Sequence, residues 1–313
     1  MFAYVIRRVV ATIPVMGFVA LFVFSLLYLT PGDPAAVIAG DQATVDDIAR
    51  IRERLGLDRP FLVQFGSWLW AVLHGDMGIS IFTNLPVSEM IGQRIEPTVA
   101  LAFVTIVLAV SIAVPLGTLA AWRVGSWVDR LVMVLSVAGF SVPVFVIGYV
   151  LIFAFALELE WLPVQGYASP SEGIERFLSH LVLPACALGL VYMALIARIT
   201  RASVLEVLAQ DYVRTARAKG LAEDKVLLGH ALKNAAVPIV TIVGIGIALL
   251  IGGVVVTESV FAIPGLGRLT VDAILRRDYP IIQGVVLLFS FVYVVLNLLI
   301  DISYTLFDPR IRY

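Results

Sequence analysis

The chain has 313 residues, of which 60% are hydrophobic and 14% charged, with a mean hydropathy of +0.99 and a formal net charge of −1. So little polar surface cannot cover a soluble globule of this length, which excludes a soluble domain and marks an integral membrane protein. The near-zero net charge is uninformative about partners, because in this class the side of the membrane on which a charge lies is what matters.

Six apolar runs can cross about 30 Å of hydrocarbon at about 1.5 Å per residue. They are 9–29, 98–121, 131–157, 181–197, 235–257 and 281–307, and they predict an all-α fold with six transmembrane helices. The first follows Arg7 and Arg8, as a secretory signal would, but its apolar core exceeds a signal's length and no A-x-A-like site follows closely. It is expected to be retained.

Segment 30–97 is a long interruption between spans. Thr44 to Gly56 predicts an amphipathic helix: Thr44 and Asp47 have capping-pair spacing, Val45, Ile48, Ile51 and Leu55 share a face, and Gly56 stops it. A second helix starts near Asp58-Arg-Pro60 and runs through Trp68 and Trp70 to Gly75. Its apolar stretch, Phe61 to Leu73, is too short to span and holds Gln64 and Gly66, which suits an interfacial or re-entrant helix. The segment reads either as a platform that covers a pore or receives a delivery protein, or as a packing appendage. The expected organisation is a first span plus this helical segment, 1–97, followed by a five-helix core, 98–313.

With the N-terminus inside, segments 1–8, 122–130, 198–234 and 308–313 are cytoplasmic and hold 13 Lys and Arg in 60 residues. Segments 30–97, 158–180 and 258–280 hold 9 in 114 residues, together with 16 of the 23 acidic groups. This satisfies the positive-inside rule with both termini in the cytoplasm. Treating Phe61 to Leu73 as a seventh span would put the most basic loop outside.

That loop, 198–234, is the most informative stretch. Asp211 to Asp224 reads as a short basic helix, a glycine stop and a second helix start. Asp211 is placed to cap the first turn, Arg214, Arg217 and Lys219 suit its C-terminal end, and Gly220 supplies a left-handed closing residue. Glu223 and Asp224 fall in the first turn of the next helix. Such a stretch presents a docking surface to a soluble partner, or serves only to fix topology.

Within the spans, Thr241, Gly244, Ala248 and Gly252 recur at helical spacing, forming either a small, wet lining of a solute path or a helix-packing stripe. Glu258, and Asp301 with Asn297 one turn earlier, are intramembrane polar groups that are either part of such a path or bonded between helices. Cys186 lies in an apolar stretch and reads as a small buried hydrophobe. His74, His180 and His230 share no metal-ligand spacing, and no metal site is expected. No G-x-x-x-x-G-K-[ST] loop is present, so the chain is not expected to bind or hydrolyse a nucleotide. No Ser, His and Asp set converges as a catalytic group. Neither an internal repeat nor a buried acidic cluster supports a secondary transporter, and a scaffold without energy coupling is the other alternative class.

The basic loop resembles the EAA loop of membrane subunits in ATP-binding-cassette importers, with Arg214-Thr215-Ala216 in the E-A-A slots and Gly220 in the glycine slot. The resemblance is to the peptide and nickel branch. It extends through Thr30-Pro-Gly-Asp-Pro-Ala35, Leu55-Gly-Leu-Asp-Arg-Pro60, Gly75-Asp-Met-Gly-Ile-Ser80, Pro86-Val87, Ile263-Pro-Gly-Leu-Gly-Arg268, Arg277-Asp-Tyr-Pro280 and Asp308-Pro-Arg-Ile-Arg312. Together these look like the first of the two permeases of a dipeptide or oligopeptide system. Arg and Thr in the first two slots, and Lys233 where sugar importers have proline, depart from the general pattern and speak against a sugar substrate.

The resemblance implies a type I importer permease fold in a bacterial inner membrane, a related second permease, two ATPase subunits that carry the ATP and Mg, and an external solute-binding protein. It implies no catalysis by this chain. Tyr212, Val213, Ala216 and Leu221 would pack against the ATPase, with Arg214, Arg217 and Lys219 as polar contacts. Peptide, nickel, glutathione or an opine-like solute would be the cargo.

Overall fold

The computed structural model describes residues 2–29, 33–39, 43–54 and 56–307. Thr30 to Gly32, Leu55 and the terminal Asp308 to Arg312 of the motifs above lie outside the described residues. Among the described residues the chain is helical, with one isolated antiparallel bridge between Ile79 and Pro86. The α-helices are α1 Phe2–Leu29, α2 Pro34–Ala39, α3 Val45–Arg54, α4 Phe61–Leu73, α5 Val87–Trp122, α6 Trp127–Ser141, α7 Val144–Leu151, α8 Ile174–Leu208, α9 Asp211–Ala218, α10 Glu223–Lys225, α11 Ala236–Val260, α12 Leu266–Arg276 and α13 Tyr279–Phe307.

Four of these are long and apolar enough to cross a membrane alone, and six spans result when two bent pairs each count as one. The first pair shows that the span expected over 131–157 is bent. α6 and a second helix, running from Val144 through a π-helical stretch at Ile152–Glu158, meet at 104°. Pro143 is the cause: it lacks an N–H and pushes the preceding Val142 into an extended conformation, φ −93° and ψ 128°. The second pair, residues 223–232 and 236–250, bends by 59°. Pro238 cannot donate to the carbonyl of Asn234, and the helix breaks at that point.

The described residues form two compact units, 1–95 with 268–295 and 96–267 with 296–313. In the first, α4 lies against α1. Phe24 makes ring contacts with Phe61, Phe65 and Trp68 at centroid distances of 5.5, 5.6 and 5.2 Å, and Ala20, Val23 and Leu287 form the buried centre. Thr44 and Asp47 cap α3 as the spacing predicts: the Asp47 amide donates to Thr44 Oγ1 at 3.3 Å, and the Thr44 amide to Asp47 Oδ2 at 3.1 Å. The same unit contains a fully enclosed polar contact in which Ser80 Oγ donates to Asp278 Oδ2 at 2.5 Å, joining the Gly75–Ser80 and Arg277–Pro280 motifs.

In the second unit α8 is the central helix, packed by α6, α7 and α11. Its buried face alternates Leu181, Leu183 and Leu188 with Ala185, Ala187, Ala194 and Ala197. Small residues let the neighbours approach closely: a Cβ added at Gly117 of α5 would stand 2.5 Å from the carbonyl oxygen of Ala197. α8 runs past the expected end at residue 197 to Leu208 without a break, and two residues separate it from α9.

Candidate functional site

The basic loop folds as a short helix locked on one face. Gln210, in an extended conformation, occupies the position before the helix, so Asp211 is the first helical residue rather than the cap. Its carboxylate instead faces Arg214, with Nη1 to Oδ1 at 3.4 Å, and Thr215 Oγ1 donates to the Asp211 carbonyl at 2.9 Å.

At the other end Gly220 has φ +80°. The Gly220 amide donates to the Arg217 carbonyl at 2.9 Å and the Leu221 amide to the Ala216 carbonyl at 3.3 Å. This is the paired closure that lets a left-handed glycine satisfy the last carbonyls of a helix. Arg217 reaches across the turn to Glu223, with Nε to Oε1 at 2.7 Å and Nη2 to Oε2 at 3.2 Å. Both side chains are half exposed, so the pair contributes about 0.2–1 kcal/mol and serves mainly to set the turn's geometry.

The two faces of α9 differ. Val213 and Ala216 are buried against Val226, with Val207 and Leu208 alongside. They hold α9 to its own chain, so in this chain the packing contacts of these two residues are internal. Tyr212, Arg214, Thr215, Lys219 and Leu221 face outward and are exposed. A helix about 12 Å long, at about 1.5 Å per residue, and the turn that follows it therefore offer an aromatic, an aliphatic and two cationic side chains to solvent.

At the base of this assembly, Arg201 of α8 makes a bidentate bond to the buried Asp129 of α6. The Gly125 amide donates to the same carboxylate at 2.9 Å. The Asp129 amide donates to Ser126 Oγ at 3.4 Å, which caps α6, and nothing in the sequence pointed to Arg201.

The proposed path residues are placed unequally. Thr241 satisfies its hydroxyl on the Val237 carbonyl at 2.7 Å. Gly244 is a packing position, since an added Cβ would meet Ile300 Cγ1 at 2.6 Å. Ala248 is half buried, and Gly252 is exposed with no heavy atom within 4 Å of an added Cβ. Asn297 and Asp301 are half buried on α13.

Glu258 has no exposed surface. Its Oε1 accepts from Thr98 Oγ1 at 2.6 Å, and that hydroxyl in turn accepts from the Leu266 amide at 2.8 Å. A Cβ at Gly265 would stand 2.1 Å from Glu258 Oε1. In this structure Glu258 thus organises the Pro264–Gly267 turn and does not face an open route.

Residues 113–313 match the family described as the binding-protein-dependent transport system inner membrane component, and residues 1–102 match the N-terminal region of the corresponding membrane components. The chain belongs to this family.

The permease is 56% identical over 310 residues to the "Probable peptide ABC transporter permease protein y4tP" of Sinorhizobium fredii, covering 99% of each chain. It is 44% identical over 314 residues to the glutathione transport system permease protein GsiC of Salmonella typhimurium, covering all of both. Its fold is similar to a chain of the inward-facing MetNI methionine ABC transporter, with a TM-score of 0.59, 18% identity, and coverage of 70% of this permease and 96% of that chain.

Proposed function

We propose that this permease forms half of the translocation pathway of an ATP-driven importer of di- or oligopeptides. It acts in a bacterial inner membrane with a homologous second permease, two ATPase subunits and an extracytoplasmic solute-binding protein. Both termini and the loop bearing α9 lie on the cytoplasmic side. ATP and Mg belong to the ATPase subunits, and this chain contributes no catalytic group.

The observation that carries this reading is the two-faced α9. Its inner face is fixed by Val213 and Ala216, and its outer face presents Tyr212, Arg214, Thr215, Lys219 and Leu221. A docked ATPase that moves this helix moves the end of α8, because only Ala209 and Gln210 separate them. α8 is the most buried of the single-helix spans, so its displacement repacks the second unit. A peptide cargo is supported by the relatives named for peptide transport. Glutathione, itself a tripeptide, is the second reading, supported by the relatives named for it.

The test is Gly220→Val in the assembled complex. No heavy atom lies within 4 Å of the added Cβ, so the penalty comes from the backbone alone, about 1 kcal/mol or more for a β-branched residue at positive φ. Membrane insertion should survive, while peptide uptake and substrate-stimulated ATP hydrolysis fall together. Unchanged uptake overturns the assignment of this turn to energy coupling.

A further inference from the structure

Within the first unit, α1, α4 and the start of α13 enclose a half-open cavity of 270 Å³. One wall is apolar, from Phe24, Leu27 and Trp68. Arg59, Gln64, Ser67 and Gln283 make the lining partly polar. Gln64 lies there with its amide committed, Oε1 accepting from the Tyr28 hydroxyl and Nε2 donating to the Arg59 carbonyl at 2.6 Å. Gln283 is different. It is 7% exposed, it lines the cavity one turn before the buried Leu287, and its amide has no hydrogen bond to any described residue.

Gln283 is buried but its amide is not sealed off from the cavity, so its hydrogen-bond partners come from whatever occupies that space, and a ligand that supplies them can replace solvent there. Arg59 stands at the same cavity, exposed, with no ion pair among the described residues. A ligand that satisfies these groups carries an anion for Arg59, acceptor oxygens for the Gln283 amide and an aliphatic part for Phe24, Leu27 and Trp68.

The surroundings identify its source. The outer face of α4 exposes Leu62, Trp70 and Leu73 at 76%, 67% and 72%, and α1 exposes Phe18 at 71%. Such faces suit hydrocarbon, and a tryptophan among them suits the level at which headgroups meet chains. We propose that the cavity is a binding site for an anionic phospholipid, with its phosphate at Arg59, its ester oxygens at the Gln283 amide and the first carbons of a chain along Trp68 and Phe24.

The test uses the full chain in its assembled complex, carrying the photoreactive residue p-benzoylphenylalanine in place of Leu57, a cavity-lining position. The complex is placed in nanodiscs of equimolar phosphatidylglycerol and phosphatidylcholine, irradiated, and the lipid adducts identified by mass spectrometry. The expected result is phosphatidylglycerol enriched several-fold over its share of the bilayer. Arg59→Gln should return the ratio to that of the bilayer, and Gln283→Leu should remove most of the adduct. If Gln283→Leu fails to assemble, Gln283→Glu should lose the phosphatidylglycerol adduct by repulsion.

Adducts in the proportions of the bilayer would reduce the contact to ordinary annular lipid and overturn the proposal. Loss of the adduct on adding soluble glycerol 3-phosphate would assign the site to a free phosphate ester instead. An absence of lipid adducts from the unaltered cavity would leave Gln283 to water, which also overturns it.

Discussion

Arg201 grips Asp129 through two hydrogen bonds, Nε to Oδ1 at 2.5 Å and Nη2 to Oδ2 at 2.8 Å, across 72 residues of sequence. The carboxylate is nearly enclosed, with 6% of the side chain exposed against 23% for Arg201. The bond ties the first turn of α6 to the stretch of α8 that leads to α9.

Removing one member of a buried pair leaves the other charge uncompensated, which typically costs 3–5 kcal/mol. Because Arg201 retains some water access, Asp129→Ala should cost about 3 kcal/mol. The double variant Asp129→Ala/Arg201→Ala should cost less than the sum of the two single ones, the non-additivity expected of groups in contact. Thermal unfolding of the detergent-purified permease checks both, and an Asp129→Ala melt that matches the parent would show that the pair does not hold the two helices.

Gly265 and Gly252 make a matched comparison. A methyl at Gly265 must displace the Glu258 carboxylate, the Thr98 hydroxyl bonded to it, or the turn itself. Overpacking of this kind usually costs about 1–3 kcal/mol, and Gly265→Ala should lie at the upper end because a buried hydrogen bond is broken as well. Gly252→Ala meets no atom within 4 Å and should stay within about 0.5 kcal/mol of the parent. Equal melting temperatures for the two variants would refute the enclosed role of Glu258.

The route of the solute is addressed by Ala248, the half-buried member of its stripe. In a Cys186→Ser background, Ala248→Cys should react with a small hydrophilic thiol reagent, and the rate should change when the ATPase subunits are trapped closed. Inertness in both states would assign the whole stripe, like Gly244, to packing.

Topology is read directly by reporter fusions. Fusions after Gly125 and Gly229 should report the cytoplasm, and a fusion after Gly166 the outside, following the distribution of Lys and Arg. An external signal after Gly229 would place α9 out of reach of any ATPase.

Hydropathy placed the spans, and glycine and capping chemistry placed α3, α9 and the Gly220 turn, because these are set by neighbours within a few residues. The bend at Pro143 was equally local and was overridden by the length of the apolar run 131–157. Asp211 was misplaced by one position, since Gln210 takes the extended conformation that a capping residue needs. The burial of Val213 and Ala216 was not legible, because which face of a short amphipathic helix binds its own chain depends on Val226 folding back onto it. The same holds for Arg201 with Asp129 and Thr98 with Glu258. Hydrogen bonds between residues 72 and 160 positions apart leave no periodicity behind.

The bond between Ser80 and Asp278 carries a consequence in time. Ser80 is synthesised 198 residues before the carboxylate to which it donates. At about 5–20 residues per second the interval is roughly 10–40 s, during which the Gly75–Ser80 segment is already made and its final partner does not yet exist. The earliest part of the permease is therefore completed by nearly the last, and a chain that stops short of Asp278 keeps an unmet hydroxyl where the finished molecule has a sealed contact. Maturation of this unit waits for synthesis through Asp278.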